Sequence, residues 1–151
     1  MPEKLPLAML IELAQTKTDE ATRRLGQLQN VQLSASAKLD MLVQYRQEYV
    51  AQFSAQLQAG LSASQVRNFQ NFIGTLDAAI EQQRAVSLQA GTRLGHGRID
   101  WQSSQRRLSS FGTLADRVRQ AELGVASKKE QRESDERSAR QFFLRATALT
   151  D

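Results

Sequence analysis

The sequence predicts an all-α fold: a long antiparallel two-helix coiled-coil hairpin with an overhanging C-terminal helix end. Three observations carry this expectation. Ala, Gln, Leu, Arg, Ser and Glu dominate, and the only prolines are Pro2 and Pro6, so little breaks a helix beyond the first residues. Apolar residues recur with spacings that alternate between three and four over most of the chain, the signature of a left-handed coiled coil. A single short stretch, residues 58–65, interrupts that pattern. The 151 residues are therefore read as one coiled-coil domain, with a helix over about 5–58, a turn over about 59–63 and a helix over about 64–148. With 40% hydrophobic residues, many of them alanine, there is enough for a seam and too little for a compact α/β core.

The first arm keeps its repeat at Leu7, Ile11, Ala14, Thr18, Ala21, Leu25, Leu28, Gln32, Ala35, Leu39, Leu42, Arg46, Tyr49 and Phe53. Only Thr18, Gln32 and Arg46 are polar, and polar seam residues of this kind cost stability while fixing register. A helix of this span is roughly 80 Å long. Gly60 then supplies a residue able to take the left-handed conformation that closes a helix. Ser62 and Gln65 follow at the spacing of a capping box, in which a serine hydroxyl and a glutamine amide satisfy each other's backbone N–H groups. A connection this short joins antiparallel neighbours.

The second arm resumes at Val66, Phe69, Ile73, Leu76, Ile80, Gln83, Ser87, Ala90, Leu94, Gly97, Trp101, Ser104, Leu108, Phe111 and Ala115, and continues through Val118, Glu122 and Val125. Gln83, Ser87 and Gly97 dilute it in the middle. Folding back at residues 60–62 makes facing seam positions sum to about 122. That pairs Phe53 with Phe69, Tyr49 with Ile73, Leu42 with Ile80, Leu25 with Gly97, Ala21 with Trp101, Thr18 with Ser104, Ala14 with Leu108 and Ile11 with Phe111. Large residues oppose small ones along much of the stem, as interdigitating knobs and holes require. Gly91, Gly95 and Gly97 mark a loosened point where the stem can bend.

Beyond Ala115 the first arm has no residues left to offer. The later seam positions fall to Lys129, Arg132 and Glu136, and the alternating charges of residues 128–137 suit a solvated helix. The apolar group Phe142-Phe143-Leu144 then follows with nothing in the chain to cover it, which suggests a docking element rather than a frayed tail.

Composition bounds the function as well. There is no cysteine, so disulfides, thiolate metal sites and a cysteine nucleophile are excluded, as suits a reducing cytoplasm. Met1-Pro2-Glu3-Lys4-Leu5 lacks a signal peptide's apolar core, and no apolar run reaches the length of a membrane span. The expectation is a soluble chain, peripheral to a membrane at most. The formal charge of +4 is concentrated in Arg84, Arg93, Arg98, Arg106, Arg107, Arg117 and Arg119, against only Asp100 and Asp116 in the same stretch. Such a patch fits an acidic protein face, an anionic membrane, nucleic acid, or simply a solvated helix face.

Catalytic chemistry is nearly absent. The single histidine, His96, lies between Gly95 and Gly97, which leaves no histidine-based triad, zinc site or phosphate-cradling loop. Two parallel-sided helices offer no cleft to perturb a carboxylate. No enzyme, no cofactor and no metal are expected. The surface offers a different signal: Tyr45, Phe72 and Ala79 flank the seam beside Leu42, Tyr49, Leu76 and Gln83. A two-helix stem buries only its seam, so Tyr45 and Phe72 should stay exposed as a candidate hot spot. The plainer alternative is that they only widen a thin seam.

Residues 39–49, L-D-M-L-V-Q-Y-R-Q-E-Y, and residues 69–83, F-Q-N-F-I-G-T-L-D-A-A-I-E-Q-Q, resemble the flagellar export protein FliJ family. The two tyrosines, the short Gly-Ser turn and the string Phe72, Ile73, Leu76, Ala79, Ile80 come in the family's order and spacing. The resemblance implies an antiparallel coiled coil similar to the stalk of rotary ATPases, cytoplasmic and peripheral at the inner face of the membrane. Its implied partners are the hexameric export ATPase, the cytoplasmic domain of the export gate protein and export chaperones, with no nucleic acid. The implied gate-binding face falls on Leu42, Tyr45, Tyr49, Phe72, Leu76, Ala79 and Gln83. Lys38 and Gln83 depart from the glutamine and histidine that the family often carries there. The stalk analogy points the ATPase toward Arg106, Arg107, Arg117, Arg119, Phe142 and Phe143. The alternatives are a structural coiled-coil adaptor, including the stalk of a related type III secretion system, and an arginine-rich nucleic-acid binder, for which no reading module is present.

Overall fold

A computed structural model describes residues 6–149. Two helices account for nearly all of them: α1, Leu7–Ala59, and α2, Ala63–Ala148. Leu5, within the predicted start of the first helix, lies outside the described residues. The carbonyl of Pro6 opens α1 by accepting from the N–H groups of Met9 and Leu10 at 3.0 and 3.2 Å. This suits proline, which has no N–H of its own to satisfy inside a helix.

The turn is built as its residues dictate. Gly60 takes a φ of 103°, the only positive φ among the described residues, and α1 ends one residue before it. The Ser62 N–H donates to Gln65 Oε1 at 3.0 Å while the Gln65 N–H donates to Ser62 Oγ at 3.2 Å. Both halves of the capping box are thus made. Only Gly60, Leu61 and Ser62 separate the helices.

Internal contacts group the chain into two units. In the first, residues 15–105, the helices fold back on each other as an antiparallel hairpin. Its register can be read from the bonds that cross it. Thr18 Oγ1 donates to the Ser104 carbonyl at 3.3 Å, the Trp101 indole N–H donates to Thr22 Oγ1 at 3.0 Å, and the Phe53 and Phe69 rings stack with centroids 5.1 Å apart. These agree with the facing pairs expected from the repeat. Every expected seam residue of this unit is buried or half-buried.

The burial is asymmetric. On α1 the buried positions are Thr18, Ala21 and Ala35; on α2 they are Leu76, Ile80 and Leu94, together with Ala90. The long buried side chains all come from α2, and small residues such as Ala21, opposite Trp101, let the two helices approach closely elsewhere along the seam. Gly97 shows the same logic at its limit. A Cβ there would lie 2.5 Å from Leu28 Cδ1 and 3.9 Å from Leu25 Cδ1, so the glycine receives chiefly Leu28 rather than the Leu25 expected from register. Helix α2 runs unbroken through Gly91, Gly95 and Gly97.

The second unit brings together the described residues 6–14 and 106–149. Ala14 is buried, and Leu7, Ile11, Leu108, Phe111 and Ala115 are half-buried. From Asp116 to Leu149 every residue is exposed. The seam therefore ends where the sequence runs out of partner residues.

Candidate partner-binding face

Within the hairpin unit, five aromatic side chains meet near the turn. Tyr49 is the hub: its ring centroid lies 4.6 Å from Phe72, 5.1 Å from Phe69 and 6.3 Å from Tyr45. Tyr45 also meets Phe72 edge-on, with centroids 6.2 Å apart and an interplanar angle of 89°. Such tilted and T-shaped geometries set ring edges against ring faces and stabilise each pair by roughly 0.5–1.5 kcal/mol beyond area burial. Because Tyr49, Phe53 and Phe69 occupy seam positions, they are half-buried. Tyr45 and Phe72 sit one place outside it and remain 47% and 37% exposed. The outer pair thus packs against Tyr49 while still facing solvent.

The remaining expected site residues divide by depth. Leu76 is buried in the seam and shapes the face from beneath. Leu42 and Ala79 are half-buried beside the aromatics. Gln83 is also half-buried, and its Nε2 donates to the Ala35 carbonyl at 3.0 Å, so its amide is tied to α1 rather than free for a partner. Lys38, Met41, Leu42, Gln44, Tyr45, Glu48 and Gln83 line an open groove of about 590 Å³. Met41, 70% exposed, was not among the expected site residues. Its position four residues before Tyr45 was the available signal, since residues four apart share a helix face.

On the other side of the seam the surface is polar. There Arg46 is paired with Asp77, its Nε on Oδ1 and its Nη2 3.5 Å from Oδ2. This ion pair accounts for a charged residue at a seam position: Arg46 lays its stem across the seam and carries its charge out to solvent.

The second unit carries the other expected group. Arg106, Arg107, Arg117 and Arg119 are all exposed, and none forms an ion pair among the described residues. Phe142 and Phe143 are 76% and 68% exposed, with Leu144 beside them also exposed. Among the described residues these make no ring contacts and form no packed cluster of the kind seen around Tyr49. Among the described residues, no helix is long and apolar enough to cross a membrane.

Comparison with known proteins identifies the family. The family model described as "Flagellar FliJ protein" matches residues 3–147. A flagellar FliJ protein of Salmonella typhi is 32% identical over 130 residues, covering 86% of this chain and 88% of that protein. One of Escherichia coli (strain K12) is 31% identical over 136 residues, covering 90% and 92%. The family match spans all of α1 and reaches the last turn of α2, and the chain belongs to the flagellar FliJ family, a component of flagellar protein export.

Proposed function

We propose that this chain is a non-catalytic coupling stalk of the flagellar export apparatus, acting in the cytoplasm at the inner face of the membrane. One surface engages the cytoplasmic domain of the export gate protein; another engages the export ATPase ring; export chaperones are met in the same setting. The observation that carries this reading is the aromatic face. Tyr45 and Phe72 are large, half-exposed and packed against Tyr49 and each other, so a partner that covers them gains apolar area without ordering loose side chains. Leu42, Ala79 and the groove beside Met41 extend that face, and Leu76 supports it.

The ATPase contact is assigned to the second unit, where Arg106, Arg107, Arg117 and Arg119 offer unpaired positive charge and Phe142 and Phe143 offer uncovered apolar surface. In this reading the chain does no chemistry of its own. What it can do is hold two machines in fixed relation, so that ATP-driven changes in one bias the other.

The test uses the full chain with Tyr45→Ala and Phe72→Ala combined. Loss of two central aromatic contacts should weaken binding to the purified gate domain by roughly tenfold or more. Helix content by circular dichroism and stimulation of the export ATPase should be retained. Unchanged gate affinity in the double variant would sink the site assignment, and absence of ATPase stimulation by the wild-type chain would sink the stalk role.

A further inference from the structure

The aromatic face does not end at Gln83. On a coiled coil, the positions flanking the seam on one side of the two helices form a single strip. Continuing from Tyr45 and Phe72 away from the turn, this strip presents Ala79, then Lys38 beside Val86, then Val31 beside Arg93, then Arg24 beside Asp100. Val31 and Val86 are both exposed. The strip also hollows a second time within the hairpin unit. A depression of about 240 Å³ is lined by Ala21, Arg24, Leu28, Arg93, His96, Gly97 and Asp100. Its floor is low because Gly97 has no side chain and Leu28 leans over it. Its rim is cationic: Arg24 and Arg93 are exposed and form no ion pair among the described residues, while Asp100 is the one carboxylate in the lining. The opposite strip, with Val43, Asp77, Arg84 and Gly91, has no exposed aromatic residue and no comparable change from apolar to basic.

We infer that this strip is one continuous docking track for a third helix. The occupant is an amphipathic segment of the partner protein with apolar side chains at one end, over Tyr45, Met41 and Phe72, and carboxylates at the other, between Arg24 and Arg93. From Tyr45 to Arg24 the track follows 21 residues of α1, or about 30 Å, so a helical occupant has about 20 residues. Charge complementarity selects the occupant and its orientation. An acidic end laid over Tyr45 would leave two arginines opposite apolar side chains, whereas the acidic end at Arg24 and Arg93 satisfies both halves. The proposal deepens the gate reading, on which the partner's identity rests; the chemistry of the occupant rests on the track alone.

Two synthetic helical peptides of about 20 residues provide the probe. They share a Leu/Phe stripe and differ only at one end, which carries glutamates in one and lysines in the other. The full wild-type chain should bind the glutamate-ended peptide roughly tenfold more tightly at low salt, with the gap narrowing as salt rises. Arg24→Glu combined with Arg93→Glu should invert the order; both positions are exposed, and circular dichroism checks that the fold is kept. Equal affinity for the two peptides, or an order unchanged in the variant, overturns the track. Displacement of the glutamate-ended peptide by duplex DNA or by anionic vesicles at matched charge also overturns it, assigning the arginines to a polyanion. Against the gate domain, the arginine pair should lose binding by a similar factor. If Tyr45→Ala with Phe72→Ala weakens gate binding and the arginine pair does not, the gate reading stands and the track fails.

Discussion

Residues 15–105 and residues 116–149 are both drawn as helix, yet they are helical for different reasons. The first stretch contains seven of the eight buried residues among those described, Ala14 being the eighth. The second contains none, although Val118, Leu123, Val125, Phe142, Phe143 and Leu144 are all apolar. In the first, Leu76, Ile80 and Leu94 of α2 are buried in the seam along with small residues of α1. In the second, the seam positions pass to Glu122, Lys129, Arg132 and Glu136, and what supports the helix is local: good helix formers and spaced opposite charges such as Arg140 and Glu136, 3.9 Å apart. Exposed pairs of this kind stabilise a helix by roughly 0.2–0.5 kcal/mol each. The difference teaches that helix content and stability are separate quantities here. An unpacked helix in water is marginal and opens locally, whereas the paired stretch opens only when its seam does.

Three substitutions sharpen that contrast. Leu94→Ala should have the largest effect. It removes a side chain only 7% exposed from the seam, and a cavity of this kind costs roughly 2–4 kcal/mol. Thermal unfolding followed by circular dichroism should move to lower temperature, while hydrogen exchange in residues 116–149 stays as it is. Gly124→Ala is the converse. A Cβ at Gly124 meets nothing within 4 Å, and alanine favours helix over glycine by about 1 kcal/mol. Exchange should slow in the unpacked stretch alone, with the main unfolding transition unmoved. A shift of that transition would show that the two stretches unfold together. Arg46→Ala should do least, because an exposed ion pair with Asp77 contributes only about 0.2–1 kcal/mol. Its loss should be smaller at high salt; a drop as large as that of Leu94→Ala would contradict the exposed geometry.

Much of this was legible in the residues. Gly60, Ser62 and Gln65 specify the turn without any tertiary information, because each meets a backbone requirement within three residues. The seam follows from periodicity, and the exposure of Tyr45 and Phe72 follows from their place beside it. What periodicity cannot carry is the choice each side chain makes among its rotamers. Gln83 reads only as a polar residue diluting the seam, but its Nε2 finds the Ala35 carbonyl across the helices. Gly97 reads as a partner for Leu25, but Leu28 reaches over it. Met41 reads as an ordinary exposed residue until the groove beside Tyr45 is seen to include it. Each miss turns on a contact between helices whose length depends on one torsion angle.

The three-residue turn has a consequence for the order in which the molecule is made. Contacts near it join residues close in sequence: Phe53 meets Phe69, and Arg46 pairs with Asp77 across 31 positions. Those farther along span more, 48 for Gln83 with Ala35, 79 for Trp101 with Thr22 and 86 for Thr18 with Ser104. Closing a short loop costs less entropy than closing a long one, and each closure shortens the next. Assembly therefore zips outward from Gly60, and the Tyr45–Tyr49–Phe69–Phe72 cluster is in its first rungs. A chain emerging from synthesis would form its exposed aromatic face before its far end had paired, and on partial melting those rungs would be the last to part.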